Sequence, residues 1–179
     1  MLEFIKNIRR RKVIRNLKAL PREKRIDNIQ EIRSIGIICP LNTEENWNIL
    51  DHFIKTMEGQ GKEVHLMATQ ERDIDFIVTH QATTICRTRR FLNFSGLPSR
   101  ESIKAFTCRH YDLLIDALDC EDFFSQYVAL RTVANLKVVY GSPSEEASDI
   151  FDLIIRGDGP MEIKGFFDNI IEYLGMIKK

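Results

Sequence analysis

The stretch Tyr111–Phe124, YDLLIDALDCEDFF, is an apolar run that stops on four carboxylates: Asp116, Asp119, Glu121 and Asp122. Carboxylates gathered at one strand end can ligate a hard cation such as magnesium, or move a proton in acid–base catalysis. A second explanation needs no ligand. If Tyr111–Ala117 is a central parallel strand, Asp116 lies at its carboxyl end, where ligands bind in open α/β sheets. Asp119 then fits the N-cap of the following helix, and Glu121 and Asp122 fill its first turn. Each is favoured there by about 0.3–1 kcal/mol through unsatisfied amides and the helix dipole. Capping thus accounts for three of the four side chains, and the acidic helix entrance repels phosphate. Asp116 alone remains a ligand candidate.

A second constellation is RTRRFLNFSGLP, Arg87–Pro98. Arg87, Arg89 and Arg90 precede Phe91, Asn93 and Phe94 at the expected carboxyl edge of the sheet. Arginine forks beside aromatic faces commonly hold anions. With Asn93 and Asp116, the three arginines form the candidate set for a phosphorylated or sugar-nucleotide ligand; the plainer reading is a solvated loop whose aromatics seal the sheet end. The chain has no GxGxxG, Walker A or HExxH motif. RGDGPME, Arg156–Glu162, has the glycines of a phosphate loop, but Asp158 and Glu162 give it the wrong charge and fit helix capping. His52, His65, His80 and His110 are isolated, and Cys108 with His110 supplies only two ligands, too few for zinc. No metal and no cofactor is assigned. Cys39, Cys86, Cys108 and Cys120 occur singly, which points to reduced, buried thiols in a cytoplasmic protein.

Charge gives a third candidate. Residues 1–25 hold ten Lys/Arg against two Glu, a net +8, which leaves −8 on residues 26–179 of a chain that is neutral overall. Within the arm, Phe4, Ile5, Ile8, Val13, Ile14, Leu17 and Leu20 alternate with Arg9, Arg10, Arg11, Lys12 and Arg15, which permits a basic amphipathic helix ending before Pro21. Such a helix can follow nucleic-acid phosphate, lie peripherally on an anionic membrane surface, grip an acidic protein, or dock on its own body or in a homodimer.

The elements that must position these residues are legible as short apolar strands alternating with helices. SIGIICP (34–40), EVHLMA (63–68), TTICRT (83–88), the 111–117 stretch, LKVVYG (136–141) and FDLIIRG (151–157) read as strands. Thr43, Ser99 and Ser142 read as helix caps, and a closing helix follows Pro160. The pattern predicts a three-layer α/β/α, Rossmann-like sandwich with a mostly parallel sheet of five or six strands. Residues 1–32 form the basic helical arm and residues 33–179 the α/β domain. Length of 179 residues suits one domain with a full core, and composition (44% hydrophobic, 29% charged) is that of a globular protein. No apolar stretch approaches the roughly 20 residues of a membrane span, and no apolar block follows the basic start as in a signal peptide.

With DLLIDALDCEDFFSQYVALRTVANLKVVYG, LNFSGLPSRESI and the terminal FDLIIRGDG…EIKGFFDNIIEYLGMI, the chain resembles a family of uncharacterised bacterial proteins. That resemblance covers nearly the whole chain and implies a fold but no activity or functional residue. Residues 111–141 are also similar to the amino-terminal domain of heptosyltransferase-type glycosyltransferases. Those enzymes place the sugar-nucleotide site largely in a second domain, for which this chain has no room, so the likeness implies a Rossmann-like half without transferase activity. The functional expectation is therefore a binding or interaction module that contacts an acidic partner through its arm. The rival is a small enzyme or binder acting on a phosphorylated or sugar-nucleotide ligand.

Overall fold

The computed structural model describes residues 2–70, 78, 80–87, 97–142, 145–156 and 162–178, with side chains omitted at 2–7, 87, 145 and 146. In chain order the described elements are α1 (Leu2–Asn16), β1 (Ser34–Pro40), α2 (Glu44–Gly59), β2 (Glu63–Gln70), β3 (Thr83–Arg87), α3 (Arg100–Thr107), β4 (His110–Asp119), α4 (Phe123–Arg131), β5 (Val133–Tyr140), α5 (Glu145–Ile150), β6 (Leu153–Ile155) and α6 (Ile163–Gly175). The six strands form one sheet in the order β3-β2-β1-β4-β5-β6, and every pair is parallel. This is the doubly wound order in which the winding reverses between β1 and β4.

Apolar residues on both sides of each central strand dictate a sheet covered twice. On one face Ile35, Ile37, Leu66, Leu113, Ile115 and Val138 pack against Trp47, Leu50, Phe53 and Ile54 of α2 and Phe166, Phe167 and Ile170 of α6. Phe53 stacks on Phe167 with ring centroids 4.3 Å apart, joining the two helices. On the other face Ile38, Met67, Leu114 and Val139 meet Ile103 and Phe106 of α3, Tyr127 and Val128 of α4, Ile150 of α5 and Ile14 of α1. Gly36 in β1 lets this layer close: a Cβ there would stand 3.1 Å from Phe106, Tyr111 and Leu114 side-chain atoms. Local signals start the helices. Thr43 accepts a hydrogen bond from the Asn46 amide and Ser99 from the Ser102 amide.

The segment between α1 and β1 is tied to the sheet. Arg22 donates through Nη1 to the Ala134 and Asn135 carbonyls and through Nη2 to Asp152 at 2.8 Å. Lys24 reaches the same carboxylate at 3.0 Å, and the Arg25 amide donates to the Asn135 carbonyl. Ile29 and Ile32 are buried in the α2/α6 layer, and the buried Lys62 ammonium donates to both of their carbonyls. Lys137 is buried in mid-sheet. Its Nζ donates to the Ala129 carbonyl in the last turn of α4. Burial first, then the Arg22 charge, push its pKa down to about 7, against a smaller upward pull from Asp152.

Candidate functional site

The carboxyl end of β4 carries the acidic stretch, and its geometry is structural. Asp116 is completely buried beneath α4. Its Oδ2 accepts the Ser125 hydroxyl at 2.5 Å and its Oδ1 accepts the Leu118 amide at 3.0 Å. Burial pushes its pKa up to about 8; those two hydrogen bonds temper the rise, and nearby Asp122 adds to it. The side chain that sequence placed with the arginines of 87–90 thus faces α4, where it has no access to a solvent-borne ligand.

The helix cap moves as well. The expected cap, Asp119, belongs to the strand: it pairs with Tyr140 after a register shift between Asp116 and Asp119, and the Cys120 amide still donates to the Tyr140 carbonyl. This bulge carries β4 past Ala117 and delays the helix. Asp119 accepts the Glu121 amide in a local turn, and Asp122 is the N-cap, accepting the Ser125 amide at 2.9 Å. Glu121 and Asp122 therefore precede the first helical turn. Among the described residues no group of three or more His, Cys, Asp or Glu is placed to hold a metal ion.

The same edge is locked by small residues. Gly141 has φ +139°, and a Cβ on it would fall 2.6 Å from the Cys120 sulfur. Cys120 Sγ donates to the Ser142 carbonyl, and Gln126 Nε2 donates to the Cys120 carbonyl. Cys39, Cys86 and Cys120 are buried as expected; Cys108 is exposed, because it caps the C-terminus of α3 on the outside of the layer. Burial pushes the Cys86 and Cys120 thiols up to about 11, away from nucleophilic thiolate. Cys108 and His110 turn to different partners, the Ala105 carbonyl and the Asn135 side chain.

Of the arginine set, Arg87 ends β3 opposite Gln70, on the carboxyl side of the sheet. Arg89, Arg90 and Asn93 lie outside the described residues, as do Asp158 and Pro160.

The arm offers a surface. α1 lies on α4: Ile14 is buried, Val13 and Leu17 pack against the same layer, and the Arg10 guanidinium sits 5.6 Å above the Phe123 ring. Arg9, Arg11, Lys12, Arg15 and Lys18 are exposed. Where α1 ends, a groove of about 280 Å³ opens between its exit, α3 and the end of α4, lined by Lys18, Arg100, Lys104 and Arg131 with Glu101. Sequence reading missed these last cations. The available signal was the spacing of Arg100 and Lys104 one helical turn apart, with buried Ile103 and Phe106 at other positions of the same short helix. A second groove, about 470 Å³ and largely apolar, runs between α2 and α6 past Ile49, Phe53, Phe167 and Ile171.

Fold and surface together define a doubly wound α/β protein in which the carboxyl end of β4 is buried against α4 and a run of exposed cations lies along α1. The chain belongs to a family of unknown function, DUF6913, matched over residues 6–177. No curated protein and no solved structure matches it, so the heptosyltransferase likeness gains no support.

Proposed function

We propose that this protein is a binding module rather than an enzyme, and that the exposed basic face of α1 contacts an acidic partner, best a nucleic-acid strand. One observation carries the reading. α1 and the residues just after it spend Val13, Ile14 and Leu17 on the layer of α4, while Arg9, Arg11, Lys12, Arg15 and Lys18 stay at the surface. Val13, Ile14 and Leu17 are thereby withdrawn from insertion into lipid, which leaves Ile8 and Leu20 as exposed apolar side chains near the cations. The rest of the chain is net negative, which opposes a planar anionic membrane or a broad acidic protein more than a narrow strand that tracks a strip of cations. Among the described residues no helix is long and apolar enough to cross a membrane.

The test is anisotropy of labelled single-stranded and duplex oligonucleotides with the full chain, beside flotation on anionic vesicles. Arg11→Glu with Lys12→Glu should weaken oligonucleotide binding by about tenfold or more, each decade being 1.4 kcal/mol. Vesicle binding without oligonucleotide binding would move the partner to lipid.

A second reading rests on Arg87 at the carboxyl end of β3. With Arg89, Arg90 and Asn93 it would hold a phosphorylated or sugar-nucleotide ligand. A thermal-shift screen with sugar phosphates and nucleotides separates the two readings, since about 2.7 kcal/mol of stabilisation is expected at 100 times the dissociation constant.

A further inference from the structure

We propose that the groove between the exit of α1, α3 and the end of α4 is a phosphate seat, with Lys18, Arg100, Lys104 and Arg131 as its ligands; it deepens, and rests on, the reading of α1 as a nucleic-acid contact. Four cations and one carboxylate, Glu101, share a cleft of about 280 Å³ with Thr107 and the apolar Leu17, Leu20, Ile103 and Leu130. At about 30 Å³ per water molecule that volume admits an oxyanion with part of its hydration. The cations come from three separate elements, so no single helix pattern explains their convergence. Lys104 and Arg131 stand in the last turns of α3 and α4, where the helix dipole alone favours a positive charge. That explanation does not reach Arg100, at the opposite end of α3, or Lys18, beyond the end of α1.

Arg131 supplies the pointer to a ligand. Its guanidinium carbon lies 4.9 Å from the centroid of the Tyr127 ring, and its Nε–H is buried with no hydrogen-bond partner among the described residues. A buried donor without an acceptor is costly, and a guanidinium positioned by an aromatic ring can meet phosphate oxygens through its fork. Lys18 then continues the cation strip of α1 into the groove, so a strand following Arg11, Lys12 and Arg15 would deliver a backbone phosphate there.

The probe is inorganic phosphate titrated into the full-length protein, read from the arginine Nε–H signals in ¹H–¹⁵N spectra, with chloride at matched ionic strength as control. Loss of a signal in Arg131→Lys identifies the Arg131 resonance. Phosphate should shift that signal saturably where chloride does not, and Arg100→Ala with Lys104→Ala, both at exposed positions, should weaken the effect about tenfold while leaving Tm unchanged. A signal that phosphate leaves unmoved, or a shift insensitive to the Arg100 and Lys104 changes, overturns the seat. Arg11→Glu with Lys12→Glu must leave the phosphate shift in place. If phosphate binds and oligonucleotides do not, the functional reading falls and the seat stands; if oligonucleotides bind and phosphate leaves Arg131 unmoved, the seat alone falls.

Discussion

Arg22 and Asp152 form an ion pair 2.8 Å long with both side chains largely buried, at 6% and 11% exposure. It joins the segment after α1 to the turn before β6, across 130 residues of sequence. Burial alone would raise the Asp152 carboxyl. The hydrogen bonds from Arg22, the Lys137 amide and Lys24 outweigh that and hold its pKa below the usual carboxylate value. Because the folded pKa is depressed, the contribution is full above the unfolded value near 3.9 and is lost as pH falls through the folded one. Arg22→Ala should cost roughly 1.5–3 kcal/mol at pH 7, as for hydrogen bonds to charged groups. In urea titrations the difference from wild type should shrink toward pH 3; a difference independent of pH would contradict this account of the pair.

Asp116 has the opposite sign. Its folded pKa is pushed up to about 8, so between about pH 4 and 8 the folded chain holds a proton that the unfolded chain has released. Its contribution is present below the unfolded pKa and is lost as pH rises through 8. Asp116→Asn keeps an oxygen to accept the Leu118 amide, turns its NH2 donor toward the Ser125 hydroxyl oxygen, and removes the titration. The variant should therefore gain stability relative to wild type on going from pH 5 to 8.5. Taking the difference cancels Lys137, whose lowered pKa pulls stability the other way above pH 7. Parallel curves would mean that Asp116 ionises freely and reaches solvent, reopening a ligand role.

Gly141 and Cys120 should show coupling. Gly141→Ala adds a Cβ 2.6 Å from the Cys120 sulfur at φ +139°, a clash and a strained backbone together. A loss of roughly 1–3 kcal/mol is expected, as for overpacking and an incompatible φ. Adding Cys120→Ala should recover only the part due to the sulfur, since the residue 120 amide nitrogen and Cβ stay 3.2 and 3.3 Å away, giving a non-zero interaction energy in a double-mutant cycle. Strict additivity would show that the two residues do not press on each other.

The two sides of α1 should respond differently. Ile14 is 6% exposed in the layer under α1, so Ile14→Ala should cost about 2–3 kcal/mol, at the lower end for a buried isoleucine. Arg11→Ser and Lys12→Ser lie on the exposed side and should stay within about 0.5 kcal/mol of wild type. Chemical denaturation of the three variants checks both. A silent Ile14→Ala would mean that α1 is loosely held and that its apolar residues are free for lipid.

How much of this was legible in sequence follows the range of the forces involved. β1 from Ser34 to Pro40 and the caps Thr43 and Ser99 are local patterns, an apolar run closed by proline and hydroxyls ahead of helices, and the structure has them at those residues. The described sheet has six parallel strands, within the five or six mostly parallel ones that the alternation implied. Local rules failed where tertiary pairing overrode them. A bulge extended β4 through Asp119 and moved the cap to Asp122. β5 starts at Val133, ahead of the expected Leu136, because Thr132 links it to α4 with no glycine or proline to mark the change. Asp116, Lys137 and Arg22 look like surface charges one residue at a time, and their burial rests on partners 8 to 130 residues away. The basic groove was legible only as the Arg100–Lys104 spacing on α3, since its other cations, Lys18 and Arg131, lie far away in sequence.

The central claim, that the exposed face of α1 binds nucleic acid through its charges, is tested most directly by the salt dependence of oligonucleotide binding in wild type and in Arg11→Ala/Lys12→Ala/Arg15→Ala. For a single strand each neutralised phosphate contributes about 0.7 to the slope of log affinity against log salt. The account predicts a steep wild-type slope that flattens by about 2 in the triple variant, with folding intact. A wild-type protein that does not bind at low salt, or a slope unchanged by loss of the three cations, would contradict it.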